Sequence, residues 1–96
     1  MKTKKAIKKI LKNFDFGKVH RVMESLNWYW NDTKDGGVPT IEELKAQAKD
    51  LLTKVTEGKF SIISSGGFEA EYRNEVLTLK FVLAEWEIDK NEPFDD

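Results

Sequence analysis

Apolar residues recur along this chain with two different periods, and the point where the period changes divides it into a helical and a stranded part. Ile7, Ile10, Leu11 and Phe14 stand at i, i+3, i+4 and i+7, the spacing of one stripe on a helix of roughly 3.6 residues per turn. Lysines fill the rest of that circumference, so the first predicted helix is amphipathic and basic. Asp15 is placed to cap a second helix, its carboxylate accepting from the free N–H groups of the next turn. Val19, Val22, Met23, Leu26 and Trp30 follow at helical spacing. If that helix reaches Trp30, this tryptophan closes the apolar sector, Tyr29 flanks it and Trp28 points nearly opposite.

The polar run from Asn31 to Val38, with its Gly-Gly pair, reads as a loop. Thr40-Ile41-Glu42-Glu43 is a capping box and starts a third helix. Leu44, Ala48, Leu51, Leu52 and Val55 form its stripe, and Gly58 stands where a left-handed residue ends a helix. Beyond Gly58 the period falls to 2. Phe60-Ser61-Ile62-Ile63 predicts a short strand, Phe68 to Arg73 alternates strictly, and Val76 to Ile88 is rich in β formers and reads as one long strand.

A hairpin across Asn74-Glu75 pairs Tyr72 with Leu77, Ala70 with Leu79 and Phe68 with Phe81 on one face. The other face then pairs Glu69 with Lys80 and Glu71 with Thr78. Apolar meets apolar and acid meets base, whereas a slip of one residue would spoil both. A two-residue turn at Gly66-Gly67 would add Ser65 opposite Phe68, Ile63 opposite Ala70 and Ser61 opposite Tyr72; the alternative is a bulge in one longer strand. The expected fold is therefore α+β, three helices packed on one face of a small antiparallel meander in the order ααα-βββ. It forms a single domain over residues 1–88, with 89–96 as an acidic, frayed tail. Beyond Leu83 the pattern shifts: Val82, Ala84, Trp86 and Ile88 occupy the face opposite Leu79 and Phe81, so the end of this strand is apolar on the side that should be wet. That surface calls for a helix, a second copy or another partner to cover it.

Composition narrows the function classes. Ninety-six residues suit one modest core. No apolar run approaches the roughly 18 residues that cross a bilayer. The lysine-rich start lacks the apolar segment of a signal peptide, which suggests an unprocessed cytosolic chain. The absence of cysteine excludes disulfides, thiolate metal sites and cysteine nucleophiles. A net charge of -1 conceals a dipole: Met1 to Arg21 carries eight basic residues against Asp15 alone, and the remainder carries eight basic and sixteen acidic residues. Such a molecule can steer a polyanion to one end or attract its own copies.

Catalysis has little to build on. The single histidine, His20, has no local nucleophile or acid arranged around it, which leaves a small hydrolase as a residual reading. Acidic residues are spread without the dense alternation of a calcium loop, so neither metal nor cofactor is expected. Binding has more. In Ser64-Ser65-Gly66-Gly67, hydroxyls and glycine backbone could converge on an anion, although the turn leads into a strand and no Gly-Lys-Ser/Thr follows as in a phosphate loop. Arg73 or lysines of the first helix could assist there, and Trp28 or Tyr29 could stack on a base or anchor a protein partner. Lys4, Lys5, Lys8, Lys9 and Lys12 on the first helix could lie along phosphates with salt-sensitive, non-specific affinity, or simply form a solvated face.

The helical NWYW, the segment Val38-Pro39-Thr40-Ile41-Glu42-Glu43-Leu44, the Leu51-Leu52 helix end, SSGGFEAEY and LTLKFVLAEWEI together resemble a group of small proteins encoded by tailed bacteriophages and prophages. The resemblance spans about Phe14 to Ile88 and carries no catalytic signature, so it transfers no functional residues. It implies a small accessory protein acting in the cytoplasm of a bacterial host. Proteins of that kind commonly act by binding, and a frequent purpose is to disarm host immunity. The expectation is a homo-oligomeric, non-catalytic binder of a nucleotide signal or a host defence protein; the alternative is an accessory protein that contacts nucleic acid through its basic helix.

Overall fold

A computed structural model describes residues 2–27, 39–83 and 86–93. Three helices precede four strands: α1 (Lys2–Asn13), α2 (Phe16–Asn27), α3 (Ile41–Thr56), β1 (Ile62–Ser65), β2 (Phe68–Arg73), β3 (Val76–Leu83) and β4 (Trp86–Pro93). The strands form one antiparallel sheet in the order β1-β2-β3-β4. The helices occupy one face: α3 lies across β1, β2 and β3, α1 lies against β3, β4 and α3, and α2 packs on α3.

Local chemistry fixes the helix boundaries. The Asp15 Oδ1 accepts from the Lys18 N–H at 3.0 Å, which caps α2. Phe14 before the cap and Val19 in the first turn are both buried, the arrangement of a hydrophobic staple. At α3 the capping box closes in both directions: the Glu43 N–H donates to Thr40 Oγ1 at 3.1 Å, and the Thr40 N–H donates to Glu43 Oε1 at 2.9 Å. The helix ends at Glu57, and Gly58 follows with φ +91°.

The apolar stripes become the core. Ala6, Ile7, Ile10 and Phe14 from α1, Val19 and Val22 from α2, and Leu44, Ala48, Leu51, Leu52 and Val55 from α3 are buried against Phe68, Ala70, Leu77, Leu79 and Phe81 of the sheet. Leu11, Met23, Ile63 and Tyr72 pack partly buried at its margin. Four phenylalanines link the two layers. Phe14 and Phe16 have ring centroids 4.9 Å apart, each lies 6.1 Å from Phe68, and Phe68 lies 5.2 Å from Phe81. These tilted geometries suit the ring quadrupoles.

The β2–β3 register is the one the two-face pattern demands, from Phe68↔Phe81 through Tyr72↔Leu77. The β1–β2 hairpin turns at Gly66-Gly67, with Ser65↔Phe68 and Ile63↔Ala70, and the Tyr72 N–H donates to the Ser61 carbonyl at 3.0 Å. A bulged longer strand is thus ruled out.

The expected long third strand is instead two strands. β3 ends at Leu83 and β4 runs back beside it, pairing Leu83 with Trp86, Phe81 with Ile88 and Lys80 with Asp89. Two expectations change. Residues paired directly across strands share a face, so the positions of Trp86 and Ile88 belong to the helix-covered face with Phe81, not to the wet face with Val82. In addition, Asp89 to Pro93, expected to fray as part of the tail, lie within β4; pairing with Val76–Lys80 holds them.

Candidate functional site

The open face of the sheet is mostly polar. Glu69, Glu71, Thr78 and Lys80 share it with Ile62, Ser64 and Val82, as the alternation of the strands requires. A depression of about 300 Å³ lies at the β1–β2 turn, lined by Ser64, Ser65, Gly66, Gly67, Phe68, Glu69 and Val82.

The two glycines make this shape. Gly66 has φ +60° and Gly67 φ +92°, conformations that suit a two-residue hairpin turn and that side-chain-bearing residues rarely adopt. A Cβ on Gly67 would come within 2.8 Å of the Phe81 ring, and one on Gly66 would run into the Gln47 side-chain amide. The turn therefore sits tight on the molecule, wedged between α3 and the end of β3. The Val82 N–H donates to the Gly67 carbonyl at 3.0 Å, so the ladder extends to the turn and brings Val82 to the depression. Val82 is 46% exposed and gives the polar rim one apolar wall.

The chain thus unites Ser64, Ser65, Gly66 and Gly67 with Val82, which sequence reasoning had assigned to a separate interface. It does not unite them with Arg73. That residue lies at the far end of β2, roughly 17 Å along the strand from the turn at about 3.3 Å per residue. There its Nε pairs with Glu71 Oε2 at 3.2 Å. The charged group beside the turn is instead an acid, Glu69, with Lys80 directly across from it on β3. Trp28 and Tyr29 lie outside the described residues, as does Trp30.

Gln47 is the neighbour that sequence reasoning missed. It stands three residues after Leu44 and four before Leu51, at the edge of the α3 apolar stripe. An uncharged polar residue on such an edge is the signal that it borders the sheet.

Lys4, Lys5, Lys8, Lys9 and Lys12 are all exposed, on the sides of α1 left free by buried Ala6, Ile7 and Ile10. His20 is partly exposed and meets Glu24, one turn along α2, with Nδ1 to Oε1 at 3.6 Å. Among the described residues no three potential metal-ligating side chains gather, and no helix is long and apolar enough to cross a membrane.

No protein-family model, curated protein or solved structure matches the chain.

Proposed function

We propose that the protein is a non-catalytic binding protein of phage type that counters bacterial immunity by sequestering a nucleotide signal at the Ser64–Gly67 depression. One observation carries this reading: a turn of two positive-φ glycines and two exposed serines is held against α3 and β3 and lines a concavity of about 300 Å³. Small pockets that use backbone and hydroxyl groups orient a ligand without needing a titrating side chain. Glu69 shapes the choice of ligand. A carboxylate repels phosphate but accepts hydrogen bonds from ribose hydroxyls or a base amino group. The sugar or base therefore belongs on the Glu69 side and the phosphate on the glycine side, where peptide N–H groups can be approached closely. The phage-type origin and the bacterial cytoplasm as its setting rest on the sequence resemblance.

A thermal-shift panel of cyclic nucleotides and ADP-ribose derivatives tests the reading. The expected outcome is a shift for one nucleotide class that disappears in Gly66→Gln, since a ligand that binds only the native state raises its stability. No shift for any nucleotide sinks the sequestration reading. It would leave capture of a host defence protein by the same rim as the surviving form.

A second reading draws on the exposed Lys4, Lys5, Lys8, Lys9 and Lys12 of α1, which could lie along a nucleic-acid backbone. Gel retardation at two salt concentrations distinguishes it. Binding at low salt that fades at higher salt supports it, and no retardation at low salt removes it.

A further inference from the structure

The two edges of the sheet are protected very differently. β4 carries Glu87, Asp89, Lys90, Glu92 and Pro93 in its sequence, residues of the kind that discourage strand addition at an edge. β1 has none of these. The run from Phe60 to Phe68 contains no charged residue, in a chain that is 34% charged. Two of its apolar residues are open: Phe60 is 64% exposed and Ile62 43%.

Hydrogen bonding fixes which groups this edge presents. The Tyr72 N–H donates to the Ser61 carbonyl, so Ser61 and Tyr72 form a hydrogen-bonded pair. In an antiparallel ladder such pairs alternate with non-hydrogen-bonded ones. Ile63 with Ala70 and Ser65 with Phe68 are therefore also bonded pairs, and Ile62 and Ser64 turn their N–H and C=O groups away from β2. Among the described residues, no strand pairs with β1 on that side.

We propose that this edge is filled by a second copy of the chain, with β1 pairing antiparallel to β1 and Ile63 on the two-fold axis. In this register Ile62 of each copy exchanges main-chain hydrogen bonds with Ser64 of the other. The two Ile63 residues face each other at the close, non-hydrogen-bonded position on the helix side. Every residue of the paired segment is uncharged, so self-pairing meets no like-charge repulsion, and an isologous contact needs such self-complementarity. Phe60 lies just before β1 and is 64% exposed, so the pairing brings its ring toward the second copy's Ser64–Gly67 turn, where it becomes a wall of that copy's depression. An aromatic surface for stacking on a base then comes from across the dimer. The paired segment is short against the roughly 1,600 Å² of a standard interface, and the dimer accordingly dissociates on dilution.

The pairing itself does not rest on the ligand reading; only the role of Phe60 does. Sedimentation velocity of the full chain without ligand, across a concentration series, tests the pairing. The expected result is a monomer–dimer equilibrium that Ile62→Lys weakens by at least about tenfold with an unchanged circular dichroism spectrum. Because the chain has no native cysteine, Ile63→Cys should oxidise to a disulfide-linked dimer, while Thr53→Cys on the exposed face of α3 should not. A chain that stays monomeric up to its solubility limit overturns the proposal, as does a dimer indifferent to Ile62→Lys. Nucleotide shifts that persist in such a monomer would leave the ligand reading standing, whereas an intact dimer with no nucleotide shift would overturn that reading alone.

Discussion

Gly67→Ala tests how the turn is held, and its cost can be worked from the geometry. Two terms add. The backbone at Gly67 has φ +92°, where a Cβ meets its own carbonyl and costs about 1–2 kcal/mol. The new methyl would also lie 2.8 Å from Phe81 Cε1. Phe81 is fully buried and packed against Phe68, so it has little room to yield, and overpacking of that kind costs about 1–3 kcal/mol. The sum, about 3 kcal/mol, is a large share of the roughly 5–10 kcal/mol expected of a domain this size. Gly58→Ala supplies the control, because Gly58 has nearly the same φ, +91°, with nothing within 4 Å of its Cβ position. It should lose only the backbone term, about 1 kcal/mol. Urea unfolding followed by circular dichroism reads both variants. With a slope near 1 kcal/mol/M, the Gly67 variant should shift its midpoint by about 3 M and the Gly58 variant by about 1 M. Equal shifts would refute the claim that the turn is wedged against Phe81.

Further outcomes follow from the same physics. Glu75 occupies φ +62° in the β2–β3 turn beside Asn74 at φ +53°. Glu75→Gly should therefore raise stability by about 1 kcal/mol, read as a higher urea midpoint. Thr40→Ala removes the hydroxyl that caps α3 and should cost about 1 kcal/mol, while Thr40→Ser should restore most of it. Phe68→Ala removes the ring that joins the α1–α2 junction to the sheet and should cost about 3–5 kcal/mol, enough to leave a substantial unfolded fraction by circular dichroism.

Much of the fold was legible because independent signals agreed. The Thr40 box, the α3 stripe and the Gly58 stop each pointed to the same helix. The β2–β3 register satisfied an apolar face and a charged face at once, which no neighbouring register could do. The β4 strand was missed because Ala84 and Glu85, between β3 and β4, are not turn-forming residues, and β propensity runs on past them. One clue was present. Apolar parity changes from odd at Leu79, Phe81 and Leu83 to even at Trp86 and Ile88, and a reversal through a two-residue connection produces that change. The expected stripe required Val82, Trp86 and Ile88 to share a face, and the register places Val82 on the other face from the positions of Trp86 and Ile88. Phe16 escaped notice for a simpler reason: as the first residue after the Asp15 cap it belongs to no stripe, yet its ring closes the phenylalanine cluster.

The candidate site was half legible. Serines and glycines in tandem announce a tight turn, and two-residue hairpin geometry explains their exposure. Its neighbours were not legible, because strand pairing and helix placement decide them. Arg73 shares β2 with Phe68 but stands at the opposite end, while Val82 and Gln47 come to the turn from β3 and α3. The charged side chain that lines the depression is therefore Glu69, not the arginine.

Native mass spectrometry of the full chain recovered from bacterial lysate tests the central claim most directly. Sequestration predicts a retained adduct of nucleotide mass on the protein, lost when Ser64 and Ser65 are both replaced by alanine while the circular dichroism spectrum stays unchanged. A bare polypeptide mass, or a nucleotide retained equally by the double variant, would contradict it.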